Sequence, residues 1–178
     1  MKWNIDPSHS QIGFAVKHMM ISTVRGSFKS FQGTIETDDQ YRPVNVQVTI
    51  DADSVDTRDA QRDGHLRSAD FFNADSSRQL VFQSTSVEQT GEQQYSIKGD
   101  LTINGITRQV TLKAETTSTG KDPWGNTRIA AEATATINRE DWNITWNQAL
   151  EFGGVLVGKE VKLHLEVQAI QVQDTVLS

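Results

Sequence analysis

Apolar and polar residues alternate with a period of two along most of the chain. Ile12, Phe14, Val16 and His18 share one face. Val44, Val46, Val48 and Ile50 alternate with Asn45, Gln47 and Thr49, and Ile97, Gly99, Leu101 and Ile103 alternate with Lys98, Asp100 and Thr102. Val110, Leu112 and Ala114 form a fourth row, Ile129, Ala131, Ala133, Ala135 and Ile137 a fifth, and Val161, Leu163, Leu165, Val167 and Ala169 a sixth. Weaker rows run from Val24 to Ile35 and from Leu80 to Val87. Such alternation predicts strands with one face buried and one in water, and the Val, Ile and Thr content agrees.

Turn signals separate the rows. Asn104-Gly105 predicts a two-residue hairpin. Thr90-Gly91-Glu92 and Asp122-Pro123-Trp124-Gly125-Asn126 mark two further reversals. The change of phase between Val24–Phe28 and Phe31–Ile35 predicts a bulge near Lys29-Ser30. Only Thr57 to Ala69 lacks alternation. Its residues predict a short helix, capped by Asp56 or Thr57, with Asp59 suiting the positive end of the helix dipole. About eight strands and one short helix then make a single domain over residues 1–178.

Strands of this kind build a sandwich or a closed antiparallel barrel, and a barrel of about eight is either filled or holds one small ligand. The fifth row puts Ala131, Ala133 and Ala135 at successive inward positions, and Gly99 interrupts the third. Small inward residues leave volume near the axis, which a slender apolar guest would occupy. Large neighbours such as Phe14, Phe28 and Phe82 would fill it instead, and periodicity alone leaves both readings open. With Val16, Leu101, Trp142 and Leu163, these residues are the candidate lining of an apolar tunnel.

Composition narrows the function. The 178 residues carry 17 Lys and Arg against 23 Asp and Glu, a net charge of −6, which argues against broad binding to nucleic acid phosphates. The absence of cysteine excludes disulfides, a thiol nucleophile and thiolate metal ligation. No stretch approaches the ~20 apolar residues of a membrane span, which leaves room only for transient membrane contact. The polar start Met1-Lys2-Trp3-Asn4 has no apolar leader and suggests the cytoplasm, or the periplasm if a leader has been removed.

Several polar residues fall where chemistry is expected. His18 keeps the inward phase of Phe14 and Val16, so it is either a satisfied core histidine or a contact to a ligand headgroup. Arg139 keeps the phase of Ile129 to Ile137. An inward guanidinium calls for a carboxylate such as Asp63 or Asp141, a carbonyl, or an anionic headgroup. Arg62, Asp63 and His65 lie in the helical segment, where the i,i+2 spacing of Asp63 and His65 weakens an acid–base dyad and favours a capping or mouth-lining network. Asp6, His9 and Ser10 have hydrolase chemistry, but a turn before a strand accounts for them. His164, between Lys162 and Glu166, reads as solvated surface. The four histidines lack metal-site spacing. Trp142, Ile144 and Trp146 share one parity and precede Leu150, Phe152, Gly153-Gly154, Val155 and Leu156, a stretch that reads as a mouth flap or as a core-capping loop.

Spaced motifs now converge on a family. They are Trp3-x-Ile5-Asp6-x-x-His9-Ser10, Phe14-x-Val16-Lys17-His18-Met19, Val24-Arg25-Gly26-x-Phe28 and Asp53-Ser54-Val55-Asp56-Thr57. They continue with Arg62-Asp63-x-His65-Leu66, Asp70-Phe71-Phe72, Phe82-x-Ser84 and Gly99-x-Leu101-Thr102-Ile103. The series ends with Ile137-Asn138-Arg139-x-Asp141-Trp142, Val157-Gly158 and Val161. In these the chain resembles the YceI-like family of bacterial polyisoprenoid- and lipid-binding proteins, in order from Trp3 to about Val167. It departs at Asn143 and Asn104, where the family often carries glycine. The resemblance implies an all-β, elongated, lipocalin-like antiparallel barrel holding a polyisoprenoid, fatty acid or fatty amide. It also implies a periplasmic or secreted setting and homodimers.

Three functions compete: a carrier, store or sequestering protein for a long-chain lipid, an enzyme acting on a hydrophobic substrate, and a packed barrel presenting loops to a partner. The first is favoured. It calls for no catalytic residue, no metal and no cofactor other than the bound lipid.

Overall fold

Each alternating row becomes a strand in the computed structural model, which describes residues 1–74, 78–117, 119–151 and 153–173. In chain order the strands are β1 (Lys2–Ile5), β2 (Gln11–His18), β3 (Ser22–Phe28), β4 (Phe31–Thr37), β5 (Pro43–Asp51) and β6 (Val55–Asp56). Helix α1 (Ala60–Arg67) follows, then β7 (Gln79–Gln89), β8 (Gln94–Ile103), β9 (Ile106–Thr116), β10 (Gly120–Lys121), β11 (Thr127–Asn138) and β12 (Val157–Gln171).

The shorter pieces are interrupted long strands. β1 and β2 lie end to end against β12, as Ile5↔Ala169 and Phe14↔Leu163 show. β3 and β4 lie against β2 and β1, and β6 and β5 against β3 and β4. β7, β8, β9 and β11 continue the meander, and β11 pairs with β12 from Arg128↔Ile170 to Asn138↔Glu160. The result is a closed eight-stranded antiparallel barrel.

The interruptions settle parity. Ile5 and Ile12 are both buried although an unbroken strand would point them to opposite faces. A 3-10 turn at Pro7–His9, capped by the Asp6 carboxylate, absorbs the difference. Phe28 and Phe31 pose the same problem. The bulge expected at Lys29-Ser30 is a full break there, matched by a 3-10 turn at Ala52–Ser54 and tied by Lys29 N–H to the Ser54 carbonyl at 3.1 Å. The hairpin at Asn104-Gly105 is as expected, with φ of 53° and 75° at its two residues.

Two expectations fail. The helix is shorter than Thr57–Ala69, and its cap is Asp59, whose carboxylate accepts from Arg62 N–H at 3.0 Å. Asp56 accepts instead from Arg58 N–H. Gly99 opens no volume either, because a Cβ there would lie 2.5 Å from the Phe82 ring. The glycine is a slot for that aromatic.

Two tryptophans close opposite ends of the core. Trp3 donates its indole N–H to Thr37 Oγ1, and Trp142 donates to the Leu101 carbonyl, both at 2.8 Å. Among the described residues no helix is long and apolar enough to cross a membrane.

Candidate functional site

The barrel is not filled. A cavity of about 340 Å³ runs through its interior. Its wall includes Phe14, Val16, Phe28 and Phe82 on one side of the sequence and Leu101, Ala131, Ala133, Trp142 and Leu163 on the other. Ala135 keeps the inward phase but packs against the core without reaching the cavity. The volume therefore comes from the alanine row, not from the glycines, whose space is taken by Phe82 and Phe14.

Polar side chains meet this wall at its ends. At the α1 end stand His18, Arg62, His65 and Arg139, and at the other Thr37, Tyr41, Thr116, Thr117 and Thr119. Sequence reasoning missed the second group, which carries no charge and sits at strand ends or in the connections beyond them without a motif.

Arg139 is buried, at 5% exposure, and meets neither Asp63 nor Asp141. Its Nε donates to the Gly158 carbonyl, Nη1 to Ile144 and Trp146, and Nη2 to Val157, at 2.8 to 3.2 Å. Burial pushes the guanidinium down from its ordinary value, with Glu140 opposing. Four carbonyl dipoles from the ends of the β11–β12 connection replace a counter-ion. Trp142 and Ile144 of that connection are buried and Trp146 reaches the cavity, so it is a core cap pinned by Arg139. Phe152, read with it, lies outside the described residues. Asn143 takes φ of 59°, which asparagine tolerates, so its departure from glycine leaves the turn intact.

Asp63 is a correction as well. It does not line the cavity. It is buried and accepts from both the backbone N–H and the hydroxyl of Thr57. Arg62 completes the knot, donating through Nε to Thr57 Oγ1 and through Nη2 to the Thr57 carbonyl, both at 2.7 Å, while its edge still meets the cavity. His65 pairs with Asp70 at 2.9 Å, not with Asp63. Its ring packs edge-on against Trp146 at 4.5 Å and Phe71 at 5.0 Å, an aromatic plug the alternation did not signal. The His18 ring differs from all of these. It meets the cavity half-buried and has no hydrogen-bond partner among the described residues.

His164 lies on the outer wall, as expected, bonded to Glu132 at 2.8 Å. With Glu166 these two form an exposed group of potential ligand atoms within 4.8 Å, on the opposite face of the wall from the cavity lining.

At the end opposite α1, Arg128 bridges Asp6 at 2.9 Å and Asp122 at 2.8 Å, tying the amino-terminal turn to the β10–β11 loop. Hydrogen bonds from the Ser8 hydroxyl and from Arg128 hold Asp6 well below the usual carboxylate range. At Asp122 burial acts upward, but bonds from Arg128, Asn126 and Trp124 N–H outweigh it and bring the group to about 2. Carboxyls lowered in the folded state stabilise it fully above their unfolded values, near 3.8, and lose that contribution as pH falls further. Arg128→Met is therefore expected to flatten the fall of the urea midpoint between about pH 4 and pH 2. Parallel curves for the two proteins would show that the bridge carries none of it.

Comparison with known proteins places this geometry. The model of the YceI-like domain matches residues 3–169. UPF0312 proteins of Staphylococcus aureus, from strains N315 and Mu50 among others, are 37% identical over 168 residues, spanning 93% of this chain and 95% of theirs. Among solved structures, the Campylobacter jejuni YCEI protein superposes with a TM-score of 0.77 at 28% identity, over 88% of this chain and 90% of that one. Burkholderia cenocepacia BcnA (TM-score 0.79, 23% identity, 92% and 98% covered) shares the fold. So does a polyisoprenoid-binding domain from Saccharophagus degradans (TM-score 0.69, 14% identity, 96% and 98% covered).

Proposed function

The chain belongs to the YceI-like family, and from that premise we propose that its barrel binds one long-chain apolar lipid without altering it. The observation that carries this reading is the cavity of about 340 Å³, whose wall is apolar along its length and polar only near its ends. That volume sits at the lower end of the range of small-molecule pockets, which suits a slender chain. Burying about ten methylenes contributes up to ~8 kcal/mol before the cost of ordering the chain. The description of the Saccharophagus domain as polyisoprenoid-binding supports a polyisoprenoid, and a fatty acid or fatty amide fits the same wall.

Catalysis finds less support. The Asp63 carboxylate is committed to Thr57, and His65 is committed to Asp70 on a partly exposed surface. The His65–Asp70 pair meets the cavity only at its partly exposed α1 end, away from the apolar wall along which a lipid chain would lie. Transport, storage or sequestration of the lipid is the role that follows.

Native mass spectrometry with lipid extraction tests the reading, followed by titration with prenyl and fatty-acyl probes. A co-purifying lipid released chemically intact, or micromolar binding of such a probe, is expected. Finding no co-purifying lipid and no such binding would overturn it. The unpartnered His18 ring is the group this reading assigns to the headgroup. His18→Leu is expected to weaken a fatty acid by about 2- to 10-fold, one hydrogen bond, and to leave a headless hydrocarbon unchanged. Equal losses for both would make His18 part of the wall.

A further inference from the structure

The turn between β2 and β3 presents Met19, Met20 and Ile21 to solvent, at 46%, 61% and 84% exposure. Met19 and Met20 have φ of 53° and 66°, in the left-handed region that unbranched apolar residues avoid. The Asn104-Gly105 turn at the same end of the barrel uses the residues that such a turn favours. Three apolar side chains are thus held at a tip where polar ones would cost less.

The tip adjoins the cavity wall. Met19 N–H donates to the Leu156 carbonyl at 2.7 Å, Met20 packs over Gly154, and both Leu156 and His18 line the cavity wall. Three side chains fall far short of the roughly 800 Å² per partner that a stable protein interface buries. A bilayer asks for no such matching surface.

Around the α1 end Glu140 meets Lys159, Asp56 meets Lys29 and Asp59 meets Arg62, at 3.7 to 3.9 Å, while Asp53, Asp141 and Glu151 are in no ion pair among the described residues. At the opposite end Asp38 meets Arg42 and Asp6 and Asp122 share Arg128, but Asp39, Glu88, Glu92 and Glu115 are in no ion pair among the described residues. An anionic lipid surface repels that end.

We propose that the Met19-Met20-Ile21 turn inserts into a lipid surface and seats the α1 end of the cavity against it. This rests on the apolar-ligand reading, since it gives the lipid a dry route between bilayer and barrel. The test is co-sedimentation with equimolar phosphatidylcholine–phosphatidylglycerol vesicles, beside binding of a fluorescent fatty-acyl probe in vesicle-free buffer. The double variant Met20→Asn, Ile21→Ser keeps a residue that tolerates the turn and is expected to lose vesicle affinity about tenfold or more, with probe binding retained. Trp124→Ser, at an exposed tip of the opposite end, serves as control and is expected to bind vesicles as the parent does. Vesicle affinity that is absent, unaffected by the double variant, or equally reduced by Trp124→Ser overturns the docking role, and probe binding then still stands for the cavity. Vesicle affinity lost with the turn in a protein that binds no probe upholds docking while the cavity reading fails. A double variant that converts a dimer to a monomer assigns the tip to self-association and overturns the proposal.

Discussion

Arg139→Met is expected to lower stability by about 3 kcal/mol and to release the connection between β11 and β12. The side chain keeps much of its apolar stem, so the loss lies in the head. The carbonyls of Ile144, Trp146 and Gly158 lose the Arg139 donor together, while that of Val157 keeps the Asn147 amide at 2.8 Å. A buried acceptor left unpaired costs about 1–3 kcal/mol. The methionine recovers part of this, because a guanidinium pushed down by burial is itself expensive to hold there. Arg139→Lys is expected to rescue little, since one ammonium cannot serve four carbonyls spread around a planar fork. Urea unfolding measures the loss, and amide hydrogen exchange at Ile144 and Val157 locates it. A variant within 1 kcal/mol of the parent, with both amides still protected, would mean that the connection is held by Trp142 and Ile144 packing alone.

For Arg139 the chain offered a carboxylate, a carbonyl or a headgroup as partner and did not choose among them. Its burial was legible, because it continues the phase of Ile129 to Ile137 even though β11 ends one residue earlier. Its partners are backbone carbonyls, and every residue has one, so they leave no mark in the sequence. Asp63 shows the converse. A carboxylate in a polar segment reads as a mouth residue, yet Thr57, six positions back, folds over it and takes it out of reach. The reversal depends on Arg58 at φ of 65°, a conformation that nothing in Arg58 announces.

The strands were readable because period-two alternation is a property of each strand by itself. The barrel's closure was less so, since it depends on β12 meeting β11 on one edge and β1 and β2 on the other. The aromatic plug joins His65 and Phe71, close in the chain, to the distant Trp146, and no local pattern links them. Ala131 and Ala133 are the opposite case. Their size pointed to the open volume, so that part of the cavity wall was legible, as was the polar α1 end, where the polar end opposite it was not.

That same smallness gives the sharpest test of whether the interior is for a guest. Ala133 lines the cavity between Ala114 and Leu165 on the neighbouring strands. Ala133→Phe sets a ring across the path of an extended chain. Excluding about four methylenes removes about 3 kcal/mol of burial, so affinity for a fatty-acyl or prenyl probe is expected to fall by about two orders of magnitude. Stability is expected to hold or rise, because the ring enters unfilled apolar volume and buries new surface. A packed interior demands the reverse pairing. There the added ring would force its neighbours apart, at a cost of about 1–3 kcal/mol, with no ligand affinity to lose. Measured together, the urea midpoint and the probe isotherm therefore separate a tunnel from a core, since each reading requires one quantity to move and the other to stay.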